Sequence, residues 1–126
     1  MRNVAIALLA VVALAACEGK PPSSDTITGG NPRHGLDAIR RHGCSACHRI
    51  DGVPGAYGTV GPTLQDIGER AYVAGRLPIA GRLPNSPENL QMWIRFPQRI
   101  ASGSAMPDLG VDEIDARDIA AYLYHQ

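Results

Sequence analysis

The residues best suited to chemistry stand together as Cys44-Ser45-Ala46-Cys47-His48, a C-x-x-C-H run. Two thiols three positions apart, at the end of a helix, can each add to one of the two vinyl groups of a haem. The adjacent His then lies beneath the iron and donates an imidazole nitrogen. Thioethers formed in this way also restrain the unfolded chain, as other cross-links do. The same residues admit other readings. A thioredoxin-like C-x-x-C needs a βαβ context, which the sequence pattern lacks. A zinc site needs a fourth ligand, for which His34, His42 and His125 are the candidates, and adjacent Cys47 and His48 suit a tetrahedron poorly. A Cys44–Cys47 disulfide is a third alternative in an oxidising compartment.

The remaining cysteine, Cys17, belongs to a different pattern. Met1-Arg2-Asn3 is a short positive start, and Val4–Ala16 is an uninterrupted apolar run. The run is shorter than the ~20 residues of a spanning helix and reads as the apolar part of a secretory signal. It ends in Leu14-Ala15-Ala16-Cys17, which resembles a bacterial lipobox. That resemblance implies cleavage before Cys17 and a lipid on its thiol; the alternative is plain cleavage and a free thiol. Acyl chains contribute ~0.8 kcal/mol per buried CH₂ and anchor a protein without a spanning helix. Residues 18–30 are polar, rich in Gly, Pro and Ser, and aperiodic, as in a flexible tether. The expected organisation is a signal peptide over 1–16, a lipid-anchored tether over 17–30 and one folded domain over 31–126.

A chain of 126 residues has room for one domain, and with 5% aromatic residues, one Trp and one Phe, it builds a thin core from protein alone. Small scaffolds of this kind rely on a covalent or metal staple. With 44% apolar residues, 19% charged residues and a formal charge of zero, the balance is that of an ordinary globular chain, not of a disordered one or a nucleic-acid binder. Charge is unevenly placed: nine Arg against five acids from Arg33 to Arg99, then five acids against one Arg from Asp108 to Asp118. This is either an ordinary solvated surface or a basic docking face for an acidic partner.

The elements that position the motif are short helices. Asn31-Pro32 supplies an N-cap and a first-turn proline, Leu36 and Ile39 share a face, and Gly43 supplies the left-handed stop. Residues 49–63 are a Gly/Pro loop. Leu64–Tyr72 is expected to form a short helix with Leu64, Ile67 and Ala71 inward. The hexapeptide Ala74-Gly75-Arg76-Leu77-Pro78-Ile79 is nearly repeated as Ala80-Gly81-Arg82-Leu83-Pro84-Asn85, and two copies are too few for a solenoid. Ser86-Pro87-Glu88 opens the next helix, with Leu90, Trp93 and Ile94 at helical spacing and Pro97 as its stop. Asp112 caps the last helix, whose stripe is Ala116, Ile119, Ala120 and Leu123. No stretch alternates with period two, so the class is all-α. Met92 reads as packing, and His34, His42 and His125 as surface residues.

Four ordered motifs together resemble the class I bacterial cytochromes c from about Asn31 to Gln126. Besides Cys44-x-x-Cys47-His48 these are Gly61-Pro62-Thr63-Leu64, the helix Asn89–Pro97, and Gly103-Ser104-Ala105-Met106-Pro107, similar to the family's G-T-x-M-P. The resemblance implies about four short helices wrapped around one haem c, covalently held through Cys44 and Cys47. It implies His48 and Met106 as the iron ligands, the Pro62 carbonyl as acceptor for the other N–H of His48, and Leu64 and Trp93 as walls. Met106 sits in a Gly/Ser/Pro loop and not on an apolar helix stripe, unlike a packing methionine. Arg40 and Arg41 depart from the family pattern, which leaves Ile39 to pack near the cysteines.

His/Met ligation raises the reduction potential and fills both axial positions, which implies an electron carrier and not an enzyme. The function implied is transfer of single electrons between periplasmic or membrane redox partners of a respiratory chain, such as an oxidase, a dehydrogenase or another cytochrome. The domain is expected to be monomeric, to bind no nucleic acid, and to face the periplasm on its Cys17 anchor. Arg49, Arg70, Arg76 and Arg82 are the candidate charges beside the haem edge. The rival readings are a haem enzyme whose Met106 leaves the iron, and a fixed subunit of a larger complex.

Overall fold

A computed structural model describes residues 27–74 and 82–126. Within them the chain forms four α-helices and no strand, with two isolated antiparallel bridges, Arg49–Tyr57 and Tyr72–Pro84. The all-α class expected from the sequence is the class found. Cys17, the apolar run before it and Arg76 lie outside the described residues. Among the described residues no helix is long and apolar enough to cross a membrane.

Helix α1 spans Pro32–Arg41, α2 Pro87–Arg95, α3 Pro97–Ile100 and α4 Glu113–Tyr124. Each long helix starts where a side chain takes up otherwise unpaired N–H groups. Asn31 accepts from the Arg33 and His34 amides, Ser86 from Asn89 and Asp112 from Asp115. Gly43, at φ 70°, adopts the left-handed conformation that ends α1 and turns the chain into the cysteine motif. Pro97 does not simply stop the third predicted helix. Phe96 breaks it with φ −137° and ψ 51°, and Pro97 opens the single turn of α3.

Helices α1 and α4 cross at Gly35, where an added Cβ would stand 2.0 Å from the Asp118 carbonyl oxygen. The approach is close enough that only glycine permits it. Beside the crossing, Thr28 and Gly30 are buried and the Asn31 amide donates to the buried Asp118 carboxylate at 2.7 Å. The last residues of the stretch expected as tether thus lie against α4. Helix α2 packs on α4, and Ile39, Ile67, Leu90, Ile94, Ile119 and Leu123 form the centre of the core.

Three expectations are corrected here. Leu64–Tyr72 is not a helix: Asp66 is left-handed at φ 53° and Arg70 is extended, leaving one 3-10 turn at Ile67–Glu69. Ile67 is buried and Leu64 half-buried, but Ala71 is exposed. Met92 is 49% exposed and is not a packing methionine. His42 is largely covered, its side chain 19% exposed, with Nε2 2.7 Å from the Asp115 carboxylate.

The hydrogen bond from His42, with the Arg41 guanidinium at 2.7 Å, holds the Asp115 carboxyl below the usual carboxylate range despite partial burial. A carboxyl group more acidic in the folded chain adds stability above its unfolded pKa of about 4. That contribution is lost as pH falls through the lower folded value. Asp115→Asn is therefore expected to lower Tm at pH 7, with the deficit shrinking as the pH drops below about 4. Thermal unfolding followed across that range checks this, and a deficit independent of pH contradicts it.

Candidate functional site

The core helices do not close on one another. Between them lies a cavity of about 470 Å³ lined by Ile39, Leu90, Ile94, Ile119 and Leu123 from the helices and by the intervening loops. That is within the usual size of a cofactor pocket, about 300–1,000 Å³. Cys44, Cys47, His48, Pro62, Leu64, Trp93 and Met106 all line it. These residues, scattered over more than sixty positions, meet at one place. Among the described lining residues Arg70 is the single arginine, lysine or acid. The exposed part of the lining is apolar, with Val60 71% exposed and Leu109 39% exposed beside Pro62, Ala105 and Pro107.

The cysteines occupy a 3-10 turn, Cys44–Ala46, and its end at Cys47, both half-buried. The segment 61–64 is stitched to them by the Gly61 amide on the Cys47 carbonyl and the Leu64 amide on the Arg49 carbonyl, each at 2.8 Å. His48 Nδ1 lies 2.7 Å from the Pro62 carbonyl oxygen. A carbonyl only accepts, so Nδ1 carries the proton and, in the neutral ring, Nε2 keeps its lone pair for a metal. Gly61 lets the ring lie there: a Cβ would stand 2.3 Å from His48 Cε1. Imidazole tautomer and orientation are thus set by the backbone.

Met106 comes from the loop after α3. Gln98 ties that loop down, its Nε2 donating to the Ser104 and Met106 carbonyls at 2.7 and 2.6 Å and its Oε1 accepting from the Gly103 amide. The Ser104 hydroxyl oxygen accepts from the Met106 amide at 3.2 Å.

A third wall is fastened by Asn85, the position at which the two hexapeptide copies differ from each other. Its amide donates to the Ile67 and Arg70 carbonyls at 2.6 and 2.9 Å, and its oxygen accepts from the Tyr124 hydroxyl. Arg70 in turn donates to the Thr63 and Gln65 carbonyls. Gln98 and Asn85 were missed by reading the sequence; a polar residue beside a turn gives no signal of which distant carbonyls it will meet.

The donor set suits a flat apolar group carrying iron better than a bare ion. Among the described residues no three His, Cys, Asp or Glu side chains converge as a metal-ion cluster. Burial pushes the Cys44 thiol above its ordinary range, a nearby Cys47 adding to the rise and a backbone hydrogen bond offsetting part of it. Thiols tuned for disulfide exchange are shifted the other way. The apolar lining, the half-buried thiol pair and an imidazole with its lone pair fixed fit a haem bound through Cys44 and Cys47.

An all-α domain folded around an apolar cofactor cavity, with a C-x-x-C-H turn in its wall, is the class that fold and site define. The family model for cytochrome c matches residues 35–126, and the chain belongs to that family. Membership implies a covalently bound haem c and haem-based electron transfer. Cytochrome c oxidase subunit 2 of Alkalihalophilus pseudofirmus is 35% identical over 92 residues, covering 71% of this chain and 24% of that relative. The chain thus spans about a quarter of the length of that curated relative.

Proposed function

We propose that this chain is a monohaem electron carrier with His48 and Met106 as axial ligands, passing single electrons between membrane or periplasmic redox partners. The observation that carries this reading is the meeting of Cys44, Cys47, His48 and Met106 on one apolar cavity. When bound, the haem supplies a one-electron ferrous/ferric couple. The chain's own residues supply the rest. Cys44 and Cys47 hold the group through thioethers. The Pro62 carbonyl keeps Nε2 of His48 available, and Leu64, Trp93, Ile94 and Leu123 give the cavity apolar walls. A Met106 thioether on the iron would favour the reduced state and would leave oxygen or peroxide no place to bind, so no catalysis is assigned.

Replacing Met106 with Ala tests the ligand directly. The expected result is loss of the sulfur-ligation band from the ferric visible spectrum, a lower midpoint potential and rapid binding of carbon monoxide to the reduced protein. An unchanged spectrum would remove Met106 from the iron.

The setting belongs to the same proposal: export by the 1–16 signal, a lipid on Cys17, and a domain facing the periplasm. The relative's name, an oxidase subunit, supports an oxidase as partner, approached through the exposed apolar mouth. Arg49 is exposed next to His48, and Arg82 is exposed with its guanidinium over the Tyr72 ring at 5.0 Å. Changing both to Gln is expected to slow electron delivery to isolated membranes several-fold at low salt and to flatten the salt dependence. Stopped-flow oxidation at several ionic strengths reads both, and indifference to the substitutions would discard the basic docking face.

A further inference from the structure

We propose that Gln98 is the positioning residue that holds Met106 at the cavity and thereby controls how readily an outside ligand can take its place; this rests on Met106 being the axial ligand. Gln98 is the second residue of α3, and the polar atoms of its carboxamide engage one loop. Its nitrogen donates to the Ser104 and Met106 carbonyls, and its oxygen accepts from Gly103. Its own backbone amide donates to the Asp108 carboxylate at 3.1 Å, bracing the far end of the same loop.

The loop needs such a brace. Ser102, Gly103, Ala105 and Pro107 are exposed, and Gly103 is left-handed at φ 84°. Two further hydrogen bonds, Ser104 amide to Ala101 carbonyl and Met106 amide to Ser104 hydroxyl, are local and do not fix the loop to a helix. A carboxamide suits the task because it offers two donors and an acceptor on one rigid plane. Glutamate has the same shape but no donor, and would face two carbonyl oxygens with a negative charge. Losing two or three hydrogen bonds of ordinary net strength makes release of the loop about ten- to a hundredfold easier.

The test uses the ferric holoprotein titrated with imidazole, reading disappearance of the sulfur-ligation band, and the ferrous holoprotein mixed with carbon monoxide. Gln98→Glu and Gln98→Ala are compared with the parent and with Asp118→Ala, which removes the buried carboxylate that accepts from the Asn31 amide. The expected result is imidazole affinity raised about ten- to a hundredfold in both Gln98 variants, with the Asp118 variant like the parent despite lower thermal stability. Should Gln98→Ala not mature with haem, Gln98→Glu and the shorter Gln98→Asn carry the same comparison. Affinities equal to the parent's, or raised equally by Asp118→Ala, would overturn the role of Gln98 while leaving Met106 in place. A parent that lacks the sulfur band removes Met106 as ligand, and the role of Gln98 with it.

Discussion

Replacing Cys44 and Cys47 together with alanine is expected to give a chain that carries no covalent haem and does not hold its fold. The residues lining the cavity include Ile39, Leu90, Ile94, Ile119 and Leu123, which are also the centre of the core. Among the described residues there is no second core to fall back on. Without the cofactor those apolar side chains lose the group they pack against, and burial of each is worth about 1.5–3 kcal/mol, against a whole stability of about 5–15 kcal/mol for a small domain. Haem staining after denaturing electrophoresis and far-ultraviolet circular dichroism read the two effects. A variant that still stained, or that lost its haem and melted like the parent, would contradict this account of the core.

The second large effect is expected at the helix crossing. Gly35→Ala places a Cβ 2.0 Å from the Asp118 carbonyl oxygen and 2.6 Å from its carbon, both backbone atoms that no rotamer change can move aside. Helices α1 and α4 must separate, loosening the Asn31–Asp118 hydrogen bond and the cavity wall at Ile39 and Ile119. Overpacking of this kind costs about 1–3 kcal/mol and sometimes more. With about 4–8 °C per kcal/mol in a domain this size, Tm should fall by roughly ten degrees or more. Gly43→Ala is the informative comparison. No atom lies within 4 Å of its added Cβ, and only the left-handed backbone at φ 70° resists the substitution. Its cost is expected to be about 1 kcal/mol. Equal losses at the two positions would mean that the crossing is not as tight as the geometry indicates.

What could be read from the sequence was what local chemistry decides. Asn31, Ser86 and Asp112 cap their helices through bonds to amides two or three residues away, and Gly43 ends α1 through its own backbone. These contacts span too little chain for the rest of the fold to overrule them. The segment Leu64–Tyr72 shows the opposite case. Its apolar spacing suits a helix, yet Asn85 takes the Ile67 and Arg70 carbonyls from eighteen and fifteen residues away, and Asp66 adopts a left-handed turn. His42 reads as a surface histidine until α4 brings Asp115 to it from 73 residues away.

The site divides along the same line. Its residue types announced themselves because thiols, imidazole and thioether stand in motifs of fixed spacing, in an order shared with a family. Their supports were legible in part: the Pro62 carbonyl came with the Gly61-Pro62-Thr63-Leu64 motif, but the close approach of the His48 ring to Gly61 did not, and nothing about Gln98 foretells that its amide spans to Ser104 and Met106.

The central claim is a low-spin haem, covalently attached and held between His48 and Met106. It is tested most directly by the visible absorption spectrum of the protein matured with the bacterial haem-attachment machinery, oxidised and then reduced with dithionite. The account predicts the sharp reduced bands of a six-coordinate c-type haem and, in the ferric state, the weak far-red band of sulfur ligation. A high-spin spectrum would take Met106 off the iron and turn the proposal toward a ligand-binding haem, and a chain without covalent haem would contradict the account at its root.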